Sequence, residues 1–252
     1  MRIFRIVVTL ALLAGCSSSP SYSAPAASSS VPPSVAPASA APSRGAATID
    51  APVIRFPVGG GGTFDFAQAA GQVVGGRGTL LSYRVGVERG ITGVDPATFG
   101  DAVELIYADP GSWPATGNWR LRRVGAGERY DYTIYLATPA TRDVLCGNGY
   151  DRYTSCRNGN TVVVNVARWA RGVPGYNGDL AAYRQYVVNH ETGHRLGRGH
   201  ELCPGPGRPA PVMQQQTLGL HGCTPNPWPI VDGRPYAGRS GQYDDPTPGE
   251  QT

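Results

Sequence analysis

One run of eleven residues constrains this chain more than any other feature: His190-Glu191-Thr192-Gly193-His194-Arg195-Leu196-Gly197-Arg198-Gly199-His200. His190 and His194 are four apart. On a helix their imidazoles therefore lie on one face and can hold one metal ion. Glu191 is the next residue round the helix and can reach a water on that metal. Gly197 can leave the helix in a left-handed conformation that a residue with a Cβ would resist. That turn lets His200 come back as a third ligand. Three protein ligands leave a fourth position for water, which is the design of a catalytic zinc site and not of a structural one. Three of the four histidines of the chain lie in this run.

The pattern upstream says how the run is carried. Asp179 can cap a helix with Leu180, Tyr183 and Val187 on its inner face, and that helix delivers His190 and His194. Asp95-Pro96 is a second helix start, with Phe99, Val103 and Ile106 at helical spacing up to about Ala108. Leu81, Tyr83, Val85 and Val87 alternate with polar or small residues, which predicts a half-buried strand. Trp119, Leu121 and Val124 predict a second strand, Tyr130 to Thr138 a third ended by Pro139, and Thr161 to Val166 a short buried one. The stretch between Thr138 and Thr161, rich in Gly and polar residues, reads as a loop. So does everything after Cys223. Gly59-Gly60-Gly61-Gly62 lacks the Gly-Lys-Ser/Thr of a phosphate loop and reads as a flexible surface loop.

The first residues are not part of the fold. Arg2 and Arg5 precede an apolar stretch, Ile6 to Leu13, too short to be an ordinary membrane span. Leu13-Ala14-Gly15-Cys16 then resembles a bacterial lipoprotein processing site. Residues 1–15 are expected to be a signal peptide, with lipid on the Cys16 sulfur. Residues 16–50, rich in Ser, Ala and Pro, cannot bury a core and are expected to form a disordered tether. The folded domain is expected over 51–252. The expected location is the outer face of the cell membrane, with the lipid as the sole membrane contact.

Lipid on Cys16 leaves an even set of cysteines: Cys146, Cys156, Cys203 and Cys223. In an oxidising compartment such a set implies disulfides. Three pairings are possible. The local one, Cys146–Cys156 with Cys203–Cys223, is preferred because each pair closes a Gly- or Pro-rich loop. The second would contribute roughly 3 kcal/mol in the chain-entropy model. All 22 basic residues are arginine, which excludes lysine Schiff-base chemistry and a Walker-type lysine. The formal net charge of +4 falls by two when Arg2 and Arg5 leave with the signal, too small to argue for nucleic acid.

The zinc run matches the long signature of the metzincin metallopeptidases, His-Glu-x-x-His-x-x-Gly-x-x-His, at every fixed position. Metzincins also carry a methionine in a turn beneath the metal. Here Met213 follows His200 by thirteen residues and is the only methionine besides Met1. The resemblance implies an α+β fold, a twisted mixed β-sheet packed on two main helices, with a loop-rich C-terminal part. It implies zinc held by His190, His194 and His200, Glu191 as general base, and Met213 as an apolar floor. The implied substrate is a peptide or protein, acted on by a monomer. Three departures are visible. The usual substrate-pairing edge strand is replaced by the loop containing Cys146 and Cys156. The tyrosine some metzincins place two residues after the methionine is Gln215. The usual C-terminal helix is missing. Residues 189–200 and 203–213 also resemble a family of secreted actinobacterial proteins built on a domain of unknown function.

The chemistry expected is zinc-dependent peptide-bond hydrolysis. Two other readings use the same residues: an inactive zinc-containing binding or scaffold protein of the cell envelope, and a metal-dependent cell-wall amidase. His221 and Glu201 are expected at the surface, with a supporting role at the metal as the alternative for His221.

Overall fold

The computed structural model describes residues 52–248, which lie within one compact unit of the chain. The expected signal peptide, Cys16 and the expected tether fall outside the described residues. In chain order the described residues form β1 (Phe64–Phe66), β2 (Val73–Val74), β3 (Thr79–Glu88), α1 (Pro96–Ala108), β4 (Trp119–Arg123), β5 (Tyr132–Ala137), α2 (Pro139–Cys146), β6 (Cys156–Asn158), β7 (Thr161–Asn165), α3 (Val166–Arg171), α4 (Leu180–Arg195), β8 (Ile230–Val231) and β9 (Arg234–Pro235).

The sheet runs β2-β4-β3-β5-β7-β6, with β1 beside the far end of β3. The four inner strands β4, β3, β5 and β7 are parallel, while β1, β2 and β6 are antiparallel to their neighbours. Parallel strands need crossovers, and the helices that make them cover both faces of the sheet. The strands divide their side chains accordingly. Tyr83, Val85, Val87, Ile134, Leu136, Val162 and Val164 point into the main core, which α1 and α4 close. Ala137 and Val163 point the other way, onto Cys146 of α2. The architecture is thus α+β with a mixed sheet and four helices.

Both main helices start where their caps predict. The Asp95 carboxylate accepts the Thr98 N–H at 2.7 Å and Asp179 accepts that of Ala182 at 2.9 Å, each bond contributing about 1 kcal/mol. Helix α1 buries Phe99, Val103, Ile106 and Tyr107; α4 buries Tyr183, Tyr186, Val187 and His190. The inner faces thus repeat at helical spacing, and each buried aliphatic side chain contributes about 1.5–3 kcal/mol.

The stretch between Thr138 and Thr161 is not the expected loop. Pro139 ends β5 and also opens α2, because its fixed φ suits the first turn of a helix. The chain then returns as β6, an antiparallel edge strand beside β7. Its Cys156 bonds to Cys146. An edge strand is therefore present. The Cys203–Cys223 bridge also forms, so the local pairing holds. Two disulfides suggest an oxidising, extracellular environment. Among the described residues no helix is long and apolar enough to cross a membrane.

The glycine loop is exposed yet anchored. The Gly60 N–H donates to Thr138 Oγ1 and that of Gly62 to Glu88 Oε1, both at 2.9 Å. Glu88 is buried and also accepts from Thr138 N and Thr141 Oγ1. The loop caps an internal carboxylate, adding the Gly62 N–H to the donors that Thr138 and Thr141 already give it. After α4 there is no further helix among the described residues. The hairpin β8–β9 follows instead, and backbone bonds return residues 239–241 to Leu202 and His200.

Candidate metal centre

Helix α4 presents His190 and His194 one turn apart. The helix ends at Arg195, Gly197 adopts φ +84°, and the chain turns back. Nothing crowds Gly197, so its lack of a Cβ serves backbone conformation alone. His200 then faces the other two rings. His194 Nε2 lies 3.2 Å from His190 Nε2 and 3.1 Å from His200 Nε2. Three ligand atoms, one from each histidine, lie within 4.8 Å of one another.

The opposite ring nitrogens decide the tautomers. His190 Nδ1 lies 2.8 Å from Val212 O and His194 Nδ1 2.8 Å from Arg198 O. A carbonyl only accepts, so both Nδ1 atoms carry the proton. His200 Nδ1 lies 3.0 Å from Gln242 Oε1. With all three protons on the outside, three Nε2 lone pairs point at one another. That arrangement repels itself unless a cation sits between them. Bonds of about 2.0–2.1 Å to a tetrahedral ion would place such nitrogens about 3.3 Å apart, close to the spacing found. The three histidines could therefore hold a metal ion. Burial keeps the His190 and His194 imidazoles neutral, as ligation requires: it pushes His190 well below its usual range and His194 down to about 4.

Glu191 lies beside them in the wall of a cleft of about 380 Å³. It is only 5% exposed, and its Oε2 has no hydrogen-bond partner among the described residues. Burial raises its carboxyl to about 8, against the opposing fields of Arg142 and Arg157. An unpaired buried carboxylate is costly, and it gains a partner when a cation or a water occupies the site.

Met213 supports the site from below without ligating. It is 1% exposed and packs against Gly193, where a Cβ would collide with its sulfur. The same segment grips both sides of the centre: Val212 O accepts the His190 Nδ1–H, and Met213 O accepts the Glu201 N–H at 3.1 Å. Asn189 and Thr192 fix the far face of α4. Asn189 Oδ1 accepts from Ser112 Oγ and its backbone carbonyl from Trp113 Nε1, while Thr192 Oγ1 pairs with Tyr107 OH at 2.7 Å.

His221 does not join the cleft. It is exposed, pairs with Asp245 at 2.7 Å and stacks on Tyr243. Glu201 is not simply solvated: it is half-buried, and its Oε2 accepts the Gly238 N–H at 2.9 Å. Gln215, also on the cleft wall, has a buried Oε1 with no partner among the described residues. Sequence reasoning missed Gln242, Arg142 and Arg157. Only the spacing of Cys146 and Cys156 hinted that residues 142–157 form a structured wall.

Residues 51–229 match DUF3152, a family described as a protein of unknown function. The match spans well over half of the chain, and the chain belongs to that family. No curated protein and no solved structure matches it.

Proposed function

We propose that this member of the DUF3152 family is a zinc-dependent peptidase with a metzincin-like fold and site, exported from the cell. One observation carries the reading: three neutral imidazoles converge their lone pairs beside a buried, unpaired carboxylate in an open cleft. Structural zinc sites are closed and need no such base.

Bound zinc would supply a Lewis acid that polarises the scissile carbonyl and acidifies water. His190, His194 and His200 would hold it. Glu191 would take the proton of the attacking water and pass it to the leaving amine. A carboxyl near 8 is a poor base at neutral pH, but a dication among the imidazoles favours its ionised form. Gln215 contributes an amide to the wall two residues after Met213. The edge strand β6 offers unpaired backbone groups beside the cleft, suited to an extended peptide laid along it.

The test is a peptide-library digest by the purified chain, with zinc, with a chelator, and with the Glu191→Ala variant. Cleavage that a chelator abolishes, and that Glu191→Ala lowers by about 10²–10⁴-fold while keeping its zinc, supports the reading. Zinc binding without cleavage of any peptide or muropeptide refutes it in favour of a scaffold. Cleavage confined to muropeptides makes the protein a cell-wall amidase.

A further inference from the structure

One wall of the cleft is β6, and a single side chain of that strand turns toward α4. Pleating decides which one. Directly opposed residues of an antiparallel pair share a face, and neighbours along a strand alternate. Cys156 opposes Val163, Arg157 opposes Val162, and Asn158 opposes Thr161. Val162 belongs to the main core beneath α4, whereas Val163 packs with Cys146 on the opposite face. Cys156 is bonded to Cys146, and Asn158 Nδ2 donates to Leu145 O at 3.1 Å. Both neighbours of Arg157 are thus committed to α2. Arg157 alone lies on the α4 side, where it lines the cleft with His190, Glu191 and His194. The Cys146–Cys156 bridge fixes the strand, and with it the register that puts an arginine there.

The second arginine of the cleft is already neutralised. Arg142 is buried and pairs with Asp143 at 2.9 Å and with Asp151 at 2.7 Å, and it also donates to Thr154. Arg157 is exposed, and among the described residues no carboxylate lies within ion-pair distance of it. An arginine on an edge strand is ordinarily a solvated charge that discourages strand pairing. This one instead faces inward over the residues proposed to do the chemistry. A bound dication would add to its charge, and Glu191 alone would not balance the two.

We infer that Arg157 is a specificity-determining residue that selects substrates bearing a carboxylate close to the cleaved bond, either an acidic side chain or a free C-terminus. The inference rests on the peptidase reading above. A guanidinium matches a carboxylate with two parallel N–H donors, which a neutral amide cannot reproduce. A cationic substrate residue at the same place would be repelled.

The test uses three tripeptides capped at one end with a hydroxamate, which anchors on zinc. At the other end they carry a glutamate amide, a glutamine amide, or a glutamine with a free carboxylate. Each is titrated into the zinc-loaded wild type and into Arg157→Ala, Arg157→Lys and Arg157→Glu. A carboxylate-bearing form should bind the wild type about tenfold more tightly than the glutamine amide, as a charge-assisted bond in a half-open site provides. Which form does so identifies the source of the carboxylate. The difference should vanish in Arg157→Ala, survive in part in Arg157→Lys and reverse in Arg157→Glu. Equal binding of the three forms by the wild type, or an unchanged preference in Arg157→Ala, overturns the inference. A zinc-loaded protein that binds none of them overturns both it and the peptidase reading. The peptide-library digest separates the remaining cases. Cleavage without acidic preference defeats the inference alone, whereas a carboxylate preference without cleavage defeats the peptidase reading and leaves the recognition standing.

Discussion

Replacing Gly193 by alanine tests how the floor of the centre is built, because helix propensity and packing predict opposite signs. Gly193 lies within α4 at ordinary helical φ, so alanine there should stabilise the helix by about 1 kcal/mol. Packing opposes this. The new Cβ would overlap Met213 Sδ and stand 3.2 Å from Met213 Cε and 2.9 Å from Trp113 Cζ2. Neither neighbour can yield freely. Met213 is buried, and the Trp113 indole is buried and tethered by its N–H to Asn189 O at 2.8 Å. Overpacking of this kind costs about 1–3 kcal/mol, and overlap with two buried side chains puts the cost at the upper end. The net expectation is a loss of about 2 kcal/mol, a fall in Tm of roughly 4–8 °C for a domain of this size. The metal should respond too. Pushing Met213 away displaces Val212 O, which orients His190, so zinc affinity should fall about tenfold although no ligand is altered. Thermal melts with and without chelator, and competition against a zinc indicator, measure the two effects. Gly199→Ala is the control. Its Cβ meets nothing and its φ is ordinary, so its effect should stay within about 0.5 kcal/mol. In a Met213→Ala background the cost of Gly193→Ala should shrink, since its collision partner is gone. A Gly193→Ala protein that is more stable than wild type and keeps its zinc affinity would refute this packing argument.

Three further outcomes follow from the same geometry. Gln242→Ala should weaken zinc binding by about tenfold or more while Gln242→Glu retains it, because an acceptor at His200 Nδ1 fixes that ring; equal affinities by indicator competition would dismiss the contact. In a Glu191→Gln background, which removes a buried carboxyl whose raised pKa acts in the opposite sense, the metal-free chain should lose stability as pH falls below about 6.5: His190 and His194 have depressed folded pKa values, so the unfolded chain binds more protons there. Denaturant unfolding at pH 7 and pH 5 should show that loss, on the order of 1–2 kcal/mol from His194, and an unchanged midpoint would count against neutral buried ligands. Finally, Gln216→Leu should reduce zinc affinity more than the double change Cys203→Ala with Cys223→Ala, and the reverse order would show that the disulfide alone frames the loop.

What was legible in the sequence was whatever repeats locally. The histidine run is a helix period followed by a glycine, so the convergence of its three histidines, the place of Glu191 beside them and the φ of Gly197 could be read directly. The two helix caps and the cysteine pairing were equally local. The edge strand was not. Its three residues, Cys156, Arg157 and Asn158, carry no β-branched side chain, and pairing with β7 makes them a strand. Helix α2 did announce itself through Thr138-Pro139. The proline was read only as the end of a strand, although it suits a helix start equally well. Gln242 left no trace, because its contact with His200 joins residues 42 apart through irregular backbone. Glu201 was misjudged because the segment that covers it, around Gly238, has no periodicity to place it.

The loop that carries Met213 shows why such irregular parts can still frame a candidate metal centre. Proline at 204, 206, 209 and 211 removes backbone donors, so no helix or extended ladder forms there, and a short bridge from Arg208 and Ala210 to Thr224 holds the backbone. Buried amide side chains replace the missing backbone bonds. Gln214 Nε2 donates to the carbonyls of Gly219 and Leu220, Gln216 Nε2 to those of Pro211 and Asn226, and Asn226 Nδ2 to those of Ala210 and Trp228. Tyrosines on and beside α4 complete the frame. Tyr186 OH donates to Gln214 O and accepts the Gln216 N–H, both at 2.9 Å, while Tyr176 OH donates to Gln216 Oε1. The helix that carries His190 and His194 therefore also fixes the loop that orients the first of them. The Cys203–Cys223 bridge ties the loop at its margins, whereas the amides and tyrosines set its internal shape. All three amides are buried, and Gln216 and Asn226 are bonded through both oxygen and nitrogen, so removing one strands several carbonyls at once, at about 1–3 kcal/mol for each group left unsatisfied. The bridge acts largely on the unfolded chain in the entropy model, and its loss leaves these bonds in place. The geometry at His190 thus depends more on Gln216 than on the disulfide.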